Sequence, residues 1–355
     1  MNSKIKCLKE QIKRLNLEGM IVSNPINISY LTGIDSKSEG VLLITRKEVV
    51  YITDSRYIEA VKNVITIDDE IIVNDVRNIS PEEYENFFLF CENVGFEEEY
   101  VTYSDYKKIM HTYKINNLVE TERIIEKQRA IKTKEEIEFT KKACQITDEC
   151  FMFLLNFIQK GMTEKEIALE IQKYFRENGA DDISFDPIVA SGKNSSMPHA
   201  VPTDKLIESG DIITIDFGCK YNGYCSDMTR TIFVDYVKEE YKKVYDLVLK
   251  NQELTLREYA EGKNPRVITQ MVVNDFKINN YELVHGLGHG TGLEIHELPF
   301  VNSRNENVLK ENMIVTDEPG IYIPGKFGVR IEDTVLIGKA EGETLTKSDK
   351  GYLII

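Results

Sequence analysis

One segment, residues 212–233, limits what this chain can fold into more than any other. Ile212–Phe217 is a short apolar run carrying a single acid, Asp216, and a second run opens at Asp227 and closes on Thr231-Ile232-Phe233. Between them stands Tyr221-Asn222-Gly223-Tyr224. Asn-Gly tolerates two successive positive φ angles, so it closes a two-residue turn whose twist matches the flanking strands. A β-hairpin is expected, and its register is countable. With Asn222 and Gly223 as the loop, and no bulge, Asp216 faces Thr229, and Asp227 is the diagonal neighbour of Asp216 on the same face. Such diagonal pairs lie roughly 7–8 Å apart, near enough for both carboxylates to reach one centre.

Three further ionisable side chains sit in similar Gly-, Thr- or Ile-rich contexts: His289 in GLGHGTG, Glu318 in VTDEPG and Glu332 in VRIED. A single acid in an acidic chain is most often a solvated surface group. Four carboxylates gathered in one cavity are different, because they repel one another unless cations neutralise them. A charge of about −4 matches two divalent metals that share bridging carboxylates. Oxygen-rich coordination with one imidazole and no thiolate favours hard or borderline ions, Mn²⁺ or Co²⁺ ahead of a zinc-only site. The chain is therefore expected to be a two-metal hydrolase.

Taken in order, the motifs resemble those of the pita-bread metallopeptidases, and within them the aminopeptidase P and prolidase branch. The resemblance runs from about Thr133 to the C-terminus. It is strongest over SMPHAVPTDKLIESGDIITIDFG (196–218), CSDMTRTIF (225–233), HGLGHGTGLEIHELP (285–299) and VTDEPGIYIPGKFGVRIED (315–333). LTGIDSKSEGVLLI (31–44) and YITDSRYIEAV (51–61) resemble the non-catalytic domain that precedes the peptidase domain in that branch. The fold implied is mixed α/β (α+β): a creatinase-like α/β domain, then a pita-bread metallopeptidase domain.

The resemblance also implies roles. Asp216 would chelate one metal, His289 and Glu318 would hold the other, and Asp227 and Glu332 would bridge them with a water or hydroxide between. Two divalent ions are implied, Mn²⁺ first, with Co²⁺ or Zn²⁺ as alternatives. Glu318 doubles as proton shuttle. His199 and His296 would bind or polarise the scissile carbonyl. His285, Tyr322 and Arg330 mark the prolyl branch and would bind substrate. Arg330 lies two residues from Glu332 on a strand, so it is expected to orient Glu332 or the proline-side carbonyl.

The implied activity is an exopeptidase cleaving between an N-terminal residue and proline, either a dipeptidase or an aminopeptidase. Its substrates would be short peptides with proline in second position, and its assembly a homodimer. Two alternatives stay open: a catalytically weak binding protein of the same fold, and methionine-aminopeptidase-like specificity. Asp317 departs from the family, which usually has an apolar residue there. Strand alternation should turn it away from the metals.

Of the five histidines, four fall inside these motifs, and His111, in IMHTYKINN, reads as a surface residue. Six cysteines form no Cys-x-x-Cys pair; Cys219 and Cys225 flank the hairpin, and free buried thiols are expected.

At 355 residues the chain is long for one core and is expected to form two domains, 1–125 and 126–355. Lys and Arg total 44 against 59 Asp and Glu, a net charge of −15 that argues against nucleic acid and anionic membranes as partners. The N-terminus reads as an amphipathic helix with Ile5, Leu8, Ile12 and Leu15 on one face; with no apolar leader core, a cytoplasmic location is expected. In the first domain, strands are expected at 20–22, 40–45, 48–53, 64–67 and 70–73, with helices over 55–62 and 81–93. Thr133 with Glu136, and Thr163 with Glu166, form capping boxes that should open two long helices, the second ending at Asn178-Gly179.

Overall fold

Helical spacing of apolar residues starts the chain. In the computed structural model, which describes residues 3–66 and 70–355, α1 (Ser3–Arg14) buries Ile5, Leu8 and Ile12. Leu15 lies beyond its end and is 47% exposed, so it is not part of that face. Two units divide the chain, Met1–Arg129 and Ala130–Ile355.

The first unit continues with β1 (Gly19–Val22), α2 (Pro25–Thr32), β2 (Gly40–Thr45), β3 (Val49–Thr53), α3 (Ile58–Val64) and β4 (Ile71–Asp75). It is completed by α4 (Pro81–Phe87), β5 (Asn93–Phe96), α5 (Tyr103–Tyr113), β6 (Asn117–Glu120) and α6 (Ile124–Arg129). Its six strands form one mixed sheet in the order β4-β3-β2-β1-β5-β6. Strands β2 and β3 lie where strands are expected, over 40–45 and 48–53, and they pair as a hairpin. Two expectations fail. Val64 closes α3 rather than opening a strand, and Ile67 lies outside the described residues. The helix expected over 81–93 stops at Phe87, because Phe88 turns into the core to pack edge-on against Tyr113.

The second unit opens with α7 (Lys134–Phe157) and α8 (Glu164–Glu177), each held by the reciprocal capping box read from the sequence. Each such cap contributes about 1 kcal/mol. Gly179, just past α8, has φ +87°, the left-handed position that glycine fills without strain. Strands β7 (Asp182–Ile183), β8 (Ile188–Ser191), β9 (Ile212–Phe217), β10 (Cys219–Tyr221), β11 (Tyr224–Cys225) and β12 (Met228–Phe233) follow. After α9 (Glu239–Leu256) and α10 (Pro265–Ile278) come β13 (Gly288–Gly290), β14 (Glu297–Val301), β15 (Ile314–Asp317), β16 (Gly320–Ile323), β17 (Phe327–Arg330), β18 (Asp333–Ile337) and β19 (Gly342–Thr344).

Two helix pairs each pack on a layer of strands, the second of them on strands from two sheets. On β9, Ile213, Ile215 and Phe217 pack with Phe151 of α7 and Phe175 of α8, while Val315, Val329 and Val335 pack with Tyr245 of α9 and Val272 of α10. Each such buried side chain stabilises by roughly 1.5–3 kcal/mol. Because side chains alternate, the residues between them on β9, Thr214 and Asp216, point to the opposite face. That alternation brings polar groups to the side of the sheet away from the helices. No helix among the described residues is long and apolar enough to cross a membrane.

Candidate active site

The hairpin forms with the counted register. Asn222 (φ 47°) and Gly223 (φ 79°) make the two-residue loop, and Thr229 stands opposite Asp216. One irregularity separates the β10–β11 tip from the β9–β12 ladder. Ser226 Oγ accepts from the Cys219 amide at 2.9 Å, and a Cβ on Gly218 would lie 2.0 Å from the Ser226 carbonyl oxygen. Only glycine fits there, so the two strands stay close at the break between β11 and β12 that carries Asp227.

Asp227, His289 and Glu332 offer ligand atoms that all lie within 4.8 Å of one another. His289 Nε2 stands 3.5 Å from Asp227 Oδ2 and 3.4 Å from Glu318 Oε1. His289 Nδ1 is 3.0 Å from the Gly290 carbonyl, to which it donates, which leaves the Nε2 lone pair facing the carboxylates. Burial pulls this imidazole down to about 4, and so keeps it neutral. Its approach is allowed by backbone economy, since a Cβ on Gly288 would lie 2.0 Å from the Thr316 carbonyl oxygen. Glu332 Oε2 accepts from the Thr229 hydroxyl at 2.7 Å, and Thr316 Oγ1 stands 3.3 Å from Glu318 Oε1.

Arg330 crosses the floor of the site. Its Nη2 donates to Asp216 Oδ2 at 2.7 Å, its Nη1 to the Tyr322 hydroxyl at 2.6 Å and to the Pro198 carbonyl at 3.2 Å, and its Nε to Thr229 Oγ1 at 3.1 Å. The guanidinium thus reaches Asp216 directly and Glu332 only through Thr229, so it does not orient Glu332 by direct contact. The Tyr322 hydroxyl, accepting from Arg330, donates to His285 Nε2 at 3.0 Å, and His285 Nδ1 donates to the Gly286 carbonyl at 2.7 Å. Each hydrogen in that chain has one direction available. Burial lowers His285 to about 4 and raises Tyr322 to about 12, so both stay neutral around pH 7.

These residues fit divalent cations. Asp216 Oδ1 is buried without a hydrogen-bond partner. Asp227 and Glu332 are raised well above ordinary carboxylates, by burial first and then by the surrounding acids; Glu318 is raised to about 8, again by burial first. A single guanidinium does not balance Asp216, Asp227, Glu318 and Glu332. Only added positive charge lets all four ionise together.

All of the sequence-read residues except Tyr322 line one cavity of about 590 Å³, including His199, His285 and His296. Tyr322 enters through its bonds to Arg330 and His285. The His289 and His296 rings meet edge to face with centroids 4.3 Å apart. Asp317 points the other way, accepting from the Thr255 hydroxyl at 2.7 Å and Tyr259 at 3.2 Å. His111 is exposed. All six cysteines are free thiols, but Cys7 is exposed and Cys91 half-buried, so only Cys144, Cys150, Cys219 and Cys225 match the expected burial. Sequence reading missed the apolar wall, Phe185, Ile188, Val201, Ile295 and Phe300, and the polar Asp186 and Asn302. None of these stands in a pattern that distinguishes cavity lining from core or surface.

Residues 138–339 match the model of metallopeptidase family M24, and residues 4–131 match the creatinase/prolidase N-terminal domain. The chain belongs to metallopeptidase family M24. It is 37% identical over 356 residues to an uncharacterised peptidase of Bacillus subtilis, covering 99% of this chain and all of that one. It is 34% identical over 357 residues to the Xaa-Pro dipeptidase of Pyrococcus furiosus, covering 98% of this chain and all of the relative. Among solved structures, an Xaa-Pro dipeptidase from Bacillus anthracis superposes with a TM-score of 0.93 at 36% identity, over 99% of both chains. The second unit is thus the pita-bread domain of an M24 metallopeptidase, the first its creatinase-type companion.

Proposed function

We propose that this M24 chain is a metal-dependent exopeptidase that hydrolyses the bond between an N-terminal residue and proline in short peptides. Asp216, Asp227, His289, Glu318 and Glu332 hold two divalent ions, Mn²⁺ in the first instance. The observation that carries the substrate reading is the hydrogen-bonded line from Asp216 through Arg330 and Tyr322 to His285. It joins a metal-holding carboxylate to groups that line the cavity where a proline ring would sit.

When bound, the ions supply Lewis-acid polarisation and acidify a water molecule. The chain's own residues do the rest. Glu318 takes the proton released as water attacks the carbonyl carbon. It returns that proton to the proline nitrogen as the C–N bond breaks, and the tertiary amide nitrogen leaves as a secondary amine. His199 and His296 stand on the cavity wall to polarise the scissile carbonyl. Arg330 fixes the direction of Asp216 through one arm of its planar fork. His285, kept neutral and held by the Tyr322 hydroxyl, presents a partly buried surface to a ring that has no N–H to satisfy. A cavity of about 590 Å³ is the size of small-molecule and short-peptide sites, not of a folded protein's docking surface. Assembly as a homodimer and a cytoplasmic location belong to the same reading.

The test is elemental analysis of the purified protein followed by hydrolysis of an Xaa-Pro dipeptide, an Xaa-Pro-Pro tripeptide and an Xaa-Ala dipeptide. Metal-loaded protein should cleave the first and spare the third. Equal cleavage of Xaa-Ala would overturn the prolyl specificity, and the tripeptide rate separates dipeptidase from aminopeptidase.

A further inference from the structure

Glu164 is fully buried, and among the described residues no Lys or Arg pairs with its carboxylate. Its charge is met by hydrogen bonds alone. Oε1 accepts from the Ser191 amide at 2.6 Å, the Ser191 hydroxyl at 2.8 Å and the Asn194 side-chain amide at 3.1 Å. Oε2 accepts from the same Asn194 group at 3.1 Å, the Thr203 amide at 3.0 Å and the Thr203 hydroxyl at 2.7 Å. The carboxylate therefore ties the start and the end of one loop to the N-terminus of α8. The middle of that loop carries His199.

The His199 ring makes no hydrogen bond among the described residues, although it lines the cavity and is exposed to it. Its place is therefore set by its main chain. Glu164 holds that main chain on one side. On the other, Ser195 Oγ accepts from the Gly328 amide at 2.9 Å, and Arg330 donates to the Pro198 carbonyl at 3.2 Å. Gly328 and Arg330 both belong to β17, so His199 sits on a bridge between α8 and the floor of the site.

We propose that Glu164 is a positioning residue for His199: its carboxylate clamps Ser191, Asn194 and Thr203 so that the loop between them presents the imidazole to the scissile carbonyl. This rests on the role given to His199 above. A carboxylate is required because backbone N–H groups arrive at both oxygens. An amide in its place would turn an NH₂ against the Ser191 or the Thr203 amide, and neither of those can reverse.

The experiment is a double-mutant cycle of Glu164→Gln and His199→Ala in the full metal-loaded chain, reading kcat, KM and metal content on an Xaa-Pro dipeptide. Glu164→Gln alone should lower kcat/KM by about 10- to 100-fold, mostly in kcat, as expected when a reacting group is misplaced by an ångström or less. In the His199→Ala background the same change should cost about twofold at most, with metal content unchanged throughout. Equal falls in both backgrounds, a wild-type rate for Glu164→Gln, or loss of metal overturns the positioning role while leaving the wider function intact. A wild-type rate for His199→Ala refutes the role of His199 itself, and the inference goes with it. Should Glu164→Gln fail to fold, Thr203→Val removes one hydroxyl from the clamp and carries the cycle. A fall that persists without His199 then refutes the proposal.

Discussion

Arg330→Lys separates shape from charge at the centre of the site. The guanidinium uses three nitrogens on four acceptors: Thr229 Oγ1 at 3.1 Å, Tyr322 OH at 2.6 Å, Pro198 O at 3.2 Å and Asp216 Oδ2 at 2.7 Å. Lysine offers one nitrogen on a flexible stem. It can keep Asp216 or Tyr322, and it loses most of the rest. If it keeps Asp216, Tyr322 loses the donor that directs its own proton toward His285. If it keeps Tyr322, Asp216 loses its protein partner at Oδ2 as well as lacking one at Oδ1.

Hydrogen bonds from a charged donor contribute roughly 1.5–3 kcal/mol each, so losing about two of them gives roughly 3–4 kcal/mol after the ions take up part of Asp216's loss. At about 1.4 kcal/mol per tenfold, kcat/KM on an Xaa-Pro dipeptide should fall by about 10²–10³. Metal content should stay at the wild-type level, because every ligand remains. The assay is steady-state hydrolysis at saturating Mn²⁺ beside elemental analysis of the same preparation. A wild-type rate with wild-type metal would show that positive charge alone suffices and that the planar fork has no role.

Three other outcomes are expected. Chelation should abolish activity and lower the melting temperature, and Mn²⁺ or Co²⁺ should restore both better than Mg²⁺, since imidazole ligation disfavours the harder ion; full activity in a preparation shown to be metal-free sinks the dinuclear reading. Asp227→Asn should lose metal and activity together, whereas His199→Ala should keep metal while kcat/KM falls by about 10²–10³; metal loss from His199→Ala would make it a ligand. In the first unit, burial raises the Glu97 carboxyl from 4.5 to about 7, so the folded state holds the proton more tightly than the unfolded one. Stability from this group is then complete below about pH 4.5 and is lost as pH rises through about 7, a change of about 3 kcal/mol. Relative to Glu97→Gln, the wild type should lose melting temperature between pH 5 and 8, and parallel profiles would contradict the shift.

What could be read from the sequence was what local geometry decides. The Asn222-Gly223 turn sets the register of its own hairpin, so the pairing of Asp216 with Thr229 follows from counting residues outward from the turn. The boxes at Thr133 and Thr163 act over three residues, and both formed. Where the outcome depended on a distant partner, the pattern misleads. Residues 81–93 are helical by pattern up to the point where Tyr113, 25 residues after Phe88, draws that ring into the core. Leu15 has the right spacing for the α1 face but falls after the last helical turn, so the periodicity does not apply to it.

The site shows the same division at the level of single side chains. That Asp317 should face away from Glu318 follows from strand alternation, but the donors it accepts from, Thr255 in α9 and Tyr259 just past its end, lie about sixty positions earlier and carry no mark in the sequence. Thr229 can be counted into place opposite Asp216, yet its use is hidden: one hydroxyl donates to Glu332 and accepts from Arg330, so it couples the Glu332 carboxylate to the guanidinium that grips Asp216. Glu164 is hidden in a similar way, because an acid in the first turn of a helix is expected to serve the helix, and here its oxygens serve a loop. The four acids and His289 announce themselves by standing in or directly beside apolar strands, where a charge has no other reason to be. Residues that hold those charges in place look like ordinary threonines, tyrosines and helix-start acids, and only the folded chain distinguishes them.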